Sequence, residues 1–209
     1  MKPNQKLKDR LGREVALFPL QYLYMTQDEG GDFSHAGTLA MDFQGWGASG
    51  RIYNCPYYAP CSIECIASTE SANRIWQSLS EVVCPGFTDF ITIVVAHDDN
   101  PPEIGTVLTQ GELMGHTGTA GNVTGDHVHI NIARGKYARW EQVPPNANWE
   151  LKNSVHIYNA LYVNDTIIVE GYNHPWITYD GITPTSKKLK KFPWVLYANK
   201  IRSRTFLNV

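Results

Sequence analysis

Apolar and polar residues alternate in short runs along most of the chain, and clusters of Gly, Pro, Asn and Asp separate the runs. This alternation is typical of β-strands with one buried face, whereas amphipathic helical spacing is nearly absent. The connections are too short for crossover helices, so we predict an all-β fold with antiparallel sheets and at most a few short helices. The predicted strands are residues 39–43, 62–68, 74–83, 90–97, 127–133 and 167–170. Only residues 3–12 and 154–161 suggest helical turns.

The length and the charge distribution suggest one domain with a C-terminal appendage. A chain of 209 residues can bury a core of its own, which favours a catalytic over a structural role for any bound metal. We predict a domain over residues 1–180 and a linker with a basic segment over residues 181–209. No acidic residue follows Asp180, but seven basic ones do: Lys187, Lys188, Lys190, Lys191, Lys200, Arg202 and Arg204. The rest of the chain is acidic, which argues against a nucleic-acid-binding body.

The N-terminal residues and the cysteines bear on the compartment. The first apolar stretch is interrupted by Glu14, Pro19 and Gln21, so we expect no signal peptide and synthesis in a cytoplasm. The longest apolar run, residues 90–96, is too short to span a bilayer. The cysteines lack C-x-x-C spacing, so we expect buried, reduced thiols, with a disulfide formed after release as the alternative. They are Cys55, Cys61, Cys65 and Cys84.

Candidate chemistry begins with residues 125–133, which alternate strictly between polar and apolar side chains. The polar face carries His127, His129 and Asn131. Residues i and i+2 project to the same side of a strand, about 6.5–7 Å apart. One imidazole can therefore bind a metal while the other stands beside the open coordination position. An isolated H-x-H pair is more often two histidines on a solvated strand face, so this hypothesis needs further ligands.

Independent ligands are available in residues 34–43, where His35 and Asp42 lie seven positions apart. An odd separation would place them on opposite faces of a continuous strand. A turn at residues 36–38 can bring both to one side. Zinc binds neutral imidazole nitrogen and carboxylate oxygen, and catalytic sites keep three protein ligands and one open position. His35, Asp42 and His129 meet that requirement.

Proton transfer must rely on a histidine, because the chain lacks the H-E-x-x-H motif, whose Glu serves as base in helical zinc peptidases. His127 is the first candidate and His97, at the end of an apolar strand, is the second, since an unperturbed pKa near 6.5 suits exchange of a proton near neutral pH. His97 is otherwise read as a surface residue at a strand end. We assign no role to the remaining histidines, His116, His156 and His174.

These motifs resemble the lysostaphin/LytM family of zinc endopeptidases. Residues 111–122 read G-E-L-M-G-H-T-G-T-A-G-N, and together with His127-Val128-His129 they are similar to the family's glycine-rich signature that ends in H-x-H. The resemblance implies that His129 binds zinc, that His127 is catalytic and that His97 is a second catalytic histidine. It also implies an open groove with the zinc site on one sheet. His97 is followed by Asp98, where the family usually has leucine.

The spacing of the first two ligands departs from the family, in which H-x-x-x-D is usual. The longer form found here, S-H-x-G-T-L-x-M-D-F, is similar to the tail-tip (tail knob) endopeptidase domain of short-tailed bacteriophages of Gram-positive hosts, over residues 15–180. It also resembles the S-x-H-x-x-G-x-A-x-D motif of D-Ala-D-Ala dipeptidases and carboxypeptidases, with Ser34, His35, Ala40 and Asp42 in register. The E-x-x-H motif usual in those enzymes is absent.

The resemblance implies a peptidoglycan endopeptidase with one Zn²⁺ that cleaves peptide cross-links or bridges, carried by a phage for wall penetration or lysis. We expect it in the virion tail, or in the host cytoplasm before release, with no nucleic-acid or membrane partner. The basic segment is either a solvated tail or a contact for anionic wall polymer or other tail proteins. The alternatives are a D-Ala-D-Ala exopeptidase and a metal-free wall-binding or structural tail protein.

Overall fold

The computed structural model describes residues 1–69, 72–144 and 148–187. Within these ranges the fold is nearly all β with antiparallel sheets, as predicted. The one helix there, α1 (Ile157–Ala160), is a single turn, so this part of the chain contains no helix that could cross a membrane. The strands are β1 (Tyr22–Gln27), β2 (Met41–Phe43), β3 (Trp46–Gly47), β4 (Gly50–Arg51), β5 (Pro56–Tyr58), β6 (Ile63–Ala67), β7 (Arg74–Ser78), β8 (Val82–Val83), β9 (Thr88–Asp89), β10 (Ile91–Ala96), β11 (Val107–Leu108), β12 (Leu113–His116), β13 (Val128–Arg134), β14 (Trp140–Val143), β15 (Asn148–Leu151), β16 (Ile167–Glu170), β17 (Ile177–Tyr179) and β18 (Pro184–Ser186).

One large sheet organises these elements. Its strand order is β11-β6-β7-β10-β13-β2-β1-β16, and neighbouring strands are antiparallel except for the parallel pair β1 and β16. Five two-stranded ribbons surround this sheet in the described residues, among them the hairpin β14–β15. The sheet centre is therefore formed by β10, β13 and β2, the strands that carry or adjoin the candidate ligands.

The two faces of the central sheet are covered differently. Val128, Ile130 and Ile132 of β13 point into the main core and are at most 1% exposed. The opposite face carries His129 and Asn131, and it is partly covered by β15, whose Leu151 packs in a small second cluster. Strand β10 lies between these two apolar layers and is buried along its whole length, which explains its continuous apolar sequence.

Several sequence predictions need correction. Residues 74–83 form two strands, because the chain leaves the sheet after β7 at the exposed Leu79 and β8 pairs elsewhere. Residues 3–12 form turns and a short bridge to Glu14, with positive φ at Asn4 and Gly12, and not the helical turn suggested by the sequence. The suggestion for residues 154–161 is confirmed by α1. Eleven of the described strands were not predicted: β1, β3, β4, β5, β9, β11, β12, β14, β15, β17 and β18.

The cysteines are all free and buried, as predicted. Burial raises the pKa of the Cys84 thiol and of the Cys61 thiol well above the usual range, so both are protonated and unreactive at neutral pH.

Near the C-terminal end of the described residues, β17 and β18 pair with each other. The predicted domain boundary after residue 180 lies in the turn of that hairpin, and residues 188–209 of the predicted basic segment lie outside the described residues.

Candidate metal centre

The three predicted ligands converge on the second face of the central sheet. His35 Nε2 lies 3.2 Å from Asp42 Oδ1 and 3.2 Å from His129 Nδ1, and the latter two atoms lie 3.1 Å apart. Tetrahedral zinc with bonds of about 2.0–2.1 Å separates its ligand atoms by about 3.3 Å. The three residues could therefore hold one divalent ion, and they are the one such group found among the described His, Cys, Asp and Glu side chains.

Two of these residues owe their proximity to strand register. His129 of β13 pairs directly with Asp42 of β2 on one side, and with Ala96 of β10 on the other. Side chains of directly opposed residues lie on the same face of a sheet. The pairing therefore brings the Asp42 carboxylate and the His129 imidazole together without any special backbone geometry.

His35 reaches the site from a loop. The N–H of Thr38 donates to the carbonyl of His35 at 2.8 Å, and Gly37 adopts a φ of 82°. This tight turn is the one predicted at residues 36–38. It brings the side chains of His35 and Asp42 to the same side, although the two residues are an odd number of positions apart. A left-handed backbone at the turn suits glycine, which has no Cβ to clash.

The orientation of the His35 ring is fixed by the backbone of the preceding segment. Its Nδ1 lies 3.0 Å from the carbonyl oxygen of Asp28, and the side chain is fully buried. Nδ1 therefore carries the proton and donates it to that oxygen, which leaves the Nε2 lone pair directed at Asp42 and His129. Metal-binding histidines are usually oriented by such an outer hydrogen bond.

Two further histidines, His127 and His97, line the same site. His127 Nδ1 lies 2.7 Å from the carbonyl oxygen of Gly125, and His97 Nδ1 lies 2.9 Å from that of Ala120. Each Nδ1 donates its proton to a carbonyl, so in the neutral ring Nε2 has the lone pair. The His127 Nε2 atom is 3.5 Å from Asp42 Oδ2. The ring centroids of His97 and His127 are 4.7 Å apart. The pair can accept or return a proton beside the three candidate ligands.

His97 stands on strained backbone at the end of β10. Its φ is 79°, a left-handed conformation that is uncommon for a residue with a side chain. The glycine-rich loop packs against this point: a Cβ at Gly118 would lie 2.2 Å from the carbonyl oxygen of His97. The loop therefore needs glycine for close backbone contact with His97. Strain of this kind is often found at functional sites.

Burial changes the protonation of two groups in the site. For Asp42, burial alone would raise the pKa, but hydrogen bonds and charge from His129 and His35 outweigh it and hold the pKa well below the usual range. For His97, burial lowers the pKa to about 4, against the opposing effect of its hydrogen bond to Ala120. At neutral pH Asp42 is therefore a carboxylate and His97 is neutral.

Three polar residues that support the site were not identified from the sequence. Asp126 accepts hydrogen bonds from Thr117 Oγ1 at 2.7 Å and from the N–H of Asn54 at 2.9 Å, just before His127. Glu150 accepts from the N–H of Leu39 and, at 3.2 Å, from Asn131 Nδ2. Asn131 is the third polar position of the alternating strand, so the sequence contained a signal for it. The sequence contained no signal for Glu150, the partner of Asn131 on β15.

The remaining histidines lie outside the three-residue group. His156 Nδ1 is 2.7 Å from Glu29 Oε2, and His174 Nε2 is 2.8 Å from Asp28 Oδ1. The backbone carbonyl of Asp28 also accepts the hydrogen bond of His35, so His174 contacts the residue that orients a candidate ligand. None of His116, His156 and His174 belongs to the metal-binding group.

Comparison with curated proteins finds a phage protein. Over 179 residues, which are 84% of this chain, the sequence is 41% identical to morphogenesis protein 1 of Bacillus phage B103. The aligned region is 47% of that protein, so the chain spans about half the length of this relative. No protein-family model matches the chain.

Comparison with solved structures finds zinc and M23 peptidases at low identity. A zinc-containing peptidase from Vibrio cholerae is 16% identical, with a TM-score of 0.40 over 61% of this chain and 40% of that one. The lysostaphin catalytic domain from Staphylococcus simulans is 14% identical, with a TM-score of 0.40 over 55% and 80%. The catalytic domain of a prophage-encoded M23 protein from Enterococcus faecalis is 14% identical, with a TM-score of 0.42 over 60% and 94%.

Proposed function

We propose that this chain is a zinc-dependent endopeptidase that hydrolyses peptide cross-links or bridges of bacterial peptidoglycan. The observation that carries the proposal is the triangle of His35, Asp42 and His129 ligand atoms, 3.1–3.2 Å apart, next to two histidines whose Nδ1 atoms contact backbone carbonyls. Three protein ligands with adjacent proton-transfer groups are typical of catalytic zinc sites.

The chemistry of the donor set suits zinc. Two imidazole nitrogens and one carboxylate oxygen form a borderline set that zinc accepts, whereas calcium and magnesium prefer oxygen ligands alone. Zinc, when bound, supplies a Lewis acid for the scissile carbonyl oxygen and lowers the pKa of a water molecule to about 7. Asp42 is ionised and the ring of His35 is oriented by Asp28, so both are ready to act as ligands.

His127 is the proposed proton-transfer residue. Its Nδ1 proton is committed to the carbonyl oxygen of Gly125, so Nε2 can take a proton from the attacking water and later give it to the leaving amine. General acid–base help of this kind contributes about 10²–10⁴ in rate. His97 is neutral at pH 7 and its Nδ1 proton is donated to the carbonyl of Ala120, so its Nε2 atom would accept or relay the same proton from the adjacent position.

The proposed role in a phage is based on the similarity to morphogenesis protein 1 of Bacillus phage B103. A morphogenesis protein takes part in building a virion, so its 41% identity with this chain supports a role as a virion component. A peptidase carried on a virion would open the wall during entry. The basic residues after Asp180 would then contact anionic wall polymer or other tail proteins.

The proposal is tested by zinc content and amine release measured on the same preparations. Wild type should hold one zinc per chain and release free amines from purified sacculi. His127→Ala should keep the zinc but lose about 10²-fold or more of the activity. His129→Ala should lose both, and His116→Ala, outside the site, should change neither.

Equal zinc content and equal activity in all four proteins would contradict the proposal. Absence of zinc and of amine release in wild type would instead support a wall-binding or structural protein. Mass spectrometry of the released fragments decides the bond: cleavage between stem peptides indicates an endopeptidase, and release of terminal D-Ala alone indicates the exopeptidase.

A further inference from the structure

The hairpin β14–β15 places two tryptophans beside the metal centre. Trp140 lies opposite Leu151, and Trp149 lies opposite Gln142, so the two indoles are diagonal neighbours on one face of the hairpin. Their rings are nearly parallel, at 7°, with centroids 6.4 Å apart. Trp149 is 46% exposed, so its indole is accessible to a ligand.

A cleft separates these indoles from the candidate ligands. Its volume is about 240 Å³, and its lining includes His97 and His129 as well as Trp140 and Trp149. Val94 and Ala96 of β10 form part of the floor. The indoles and the metal centre thus border a single space, which a substrate held at His129 would enter.

The described part of the cleft lining is neutral. Apart from the two histidines, the lining residues within the described ranges carry no charge: they are apolar, or they are amides and hydroxyls such as Asn73 and Ser34. Removing a charged group from water into such a cleft is costly without a partner. The lining therefore favours an uncharged occupant with small aliphatic side chains.

The strand that carries Trp149 is hydrogen-bonded to the loop that carries His35. Alternate residues of β15 point to the other side of the hairpin, where Asn148 Nδ2 donates to the carbonyl of Ala36 at 3.0 Å and Glu150 accepts from the N–H of Leu39. Both contacts are to the loop that carries His35. A wall fixed to the ligand loop in this way can select substrates by shape and polarity.

We infer that Trp149, supported by Trp140, is a specificity-determining residue that binds an uncharged, alanine-like stretch of the substrate peptide on one side of the scissile bond. The inference rests on the proposed peptidase function and names the part of the substrate that this cleft takes. Aliphatic side chains would pack against the indole faces. The Nδ2 atoms of Asn73 and Asn148 already donate to Thr69 and Ala36, and their amide oxygens would accept from the peptide backbone.

Two pairs of synthetic peptides test the inference with the zinc-loaded protein. Within a pair, one peptide has alanine and the other glutamate at the residue next to the scissile bond, on the amino side in the first pair and on the carboxyl side in the second. Wild type should prefer alanine in one pair. Trp149→Ala should lower kcat/KM for that alanine peptide roughly tenfold or more, mainly through KM, since apolar pocket contacts contribute about 10–200-fold.

Trp149→Ala should change hydrolysis of the matching glutamate peptide little, so the preference is lost, and Trp149→Phe should retain most of it. Tyr172→Ala is the matched control, because Tyr172 is 44% exposed and lies outside the cleft lining. An unchanged preference in Trp149→Ala, or an equal loss on all peptides, would overturn the inference alone. No hydrolysis by zinc-loaded wild type of either pair or of sacculi would overturn the proposed function and the inference together.

Discussion

The two halves of the metal centre are built in different ways. His129 and Asp42 come from directly paired positions of β13 and β2, within a sheet that is buried on its main core face. His35 comes from a loop whose position depends on several specific polar contacts, among them Asp28 to the ring and Glu150 to Leu39. Regular pairing places the first two side chains by geometry, whereas the third is placed by individual hydrogen bonds.

The difference predicts which substitutions act on the metal and which act on the fold. Hydrogen bonds around a loop-borne ligand should tune metal affinity, because the loop can shift without opening the sheet. Contacts around the strand-borne ligand should instead affect global stability, because strand and sheet unfold together.

The largest effect is expected from the ligands themselves, irrespective of which half supplies them. Asp42→Ala and His35→Ala should each lower hydrolysis by at least about 10³-fold, because Lewis-acid stabilisation contributes several kcal/mol and each 1.36 kcal/mol is tenfold in rate. Zinc titration measures metal binding by the two variants, and sacculus hydrolysis measures their activity. Activity within tenfold of wild type in His35→Ala would show that the loop residue is not a ligand.

His97 should give the next largest effect. Asn tolerates the left-handed backbone observed at this position, so His97→Asn should fold and bind zinc while losing the ring nitrogen. We expect kcat to fall by about 10²-fold, the lower end of general acid–base contributions. Steady-state kinetics on a defined peptide measure it. An unchanged kcat with wild-type zinc content would limit His97 to a structural role.

Glu150 tests the hydrogen bonds that hold the loop. Glu150→Ala should weaken zinc binding by about 10–100-fold, the range for partners that orient metal ligands, with little change in the urea midpoint. Glu150→Gln should bind nearly as wild type, because its amide oxygen can still accept from Leu39 and Asn131. A chelator competition assay gives the affinities.

Glu141 is the matched control, since it lies directly opposite Glu150 in the hairpin but pairs with Arg139 and Lys152 at the surface. Glu141→Ala should leave zinc affinity within about twofold, as expected of exposed ion pairs. Equal zinc affinity in Glu150→Ala and Glu141→Ala would contradict a positioning role for Glu150.

Asp126 tests the strand-borne half, with the smallest effect on the metal. Removing its carboxylate leaves the buried hydroxyl of Thr117, and the N–H of the exposed Asn54, without an acceptor, so Asp126→Ala should lower the free energy of unfolding by about 1–3 kcal/mol. Zinc per folded chain should not change. Urea unfolding measures the first quantity and metal analysis the second.

The control for Asp126 is Asp89, which pairs with Arg134 at the surface. Asp89→Ala should cost less than about 1 kcal/mol. If Asp126→Ala kept full stability but lost zinc, the proposed division between the two halves of the site would be wrong.

The strand-borne half could be predicted from the sequence because its signals are local. Strict alternation at residues 125–133 indicated a strand with His127 and His129 on one face, and β13 follows this pattern. The turn near Gly37 was also predictable, since an odd separation had to be resolved if His35 and Asp42 shared a metal.

The supporting contacts could not be predicted because they join distant segments. Glu150 lies 111 positions from Leu39, and nothing in the short sequence of β15 indicates that it pairs with β14 over the ligand loop. Strand β1 has buried positions at Leu23 and Met25, but its neighbours β2 and β16 follow from tertiary packing. The sequence shows which residue types are present, but it does not show which distant residues they contact.

The central claim is that His35, Asp42 and His129 bind a single zinc ion. X-ray absorption at the zinc edge of the purified protein tests it most directly. We predict one zinc per chain, with two imidazole nitrogens and carboxylate oxygen at about 2.0–2.2 Å. A spectrum that shows sulfur at about 2.3 Å, or that lacks imidazole scattering, would contradict the account.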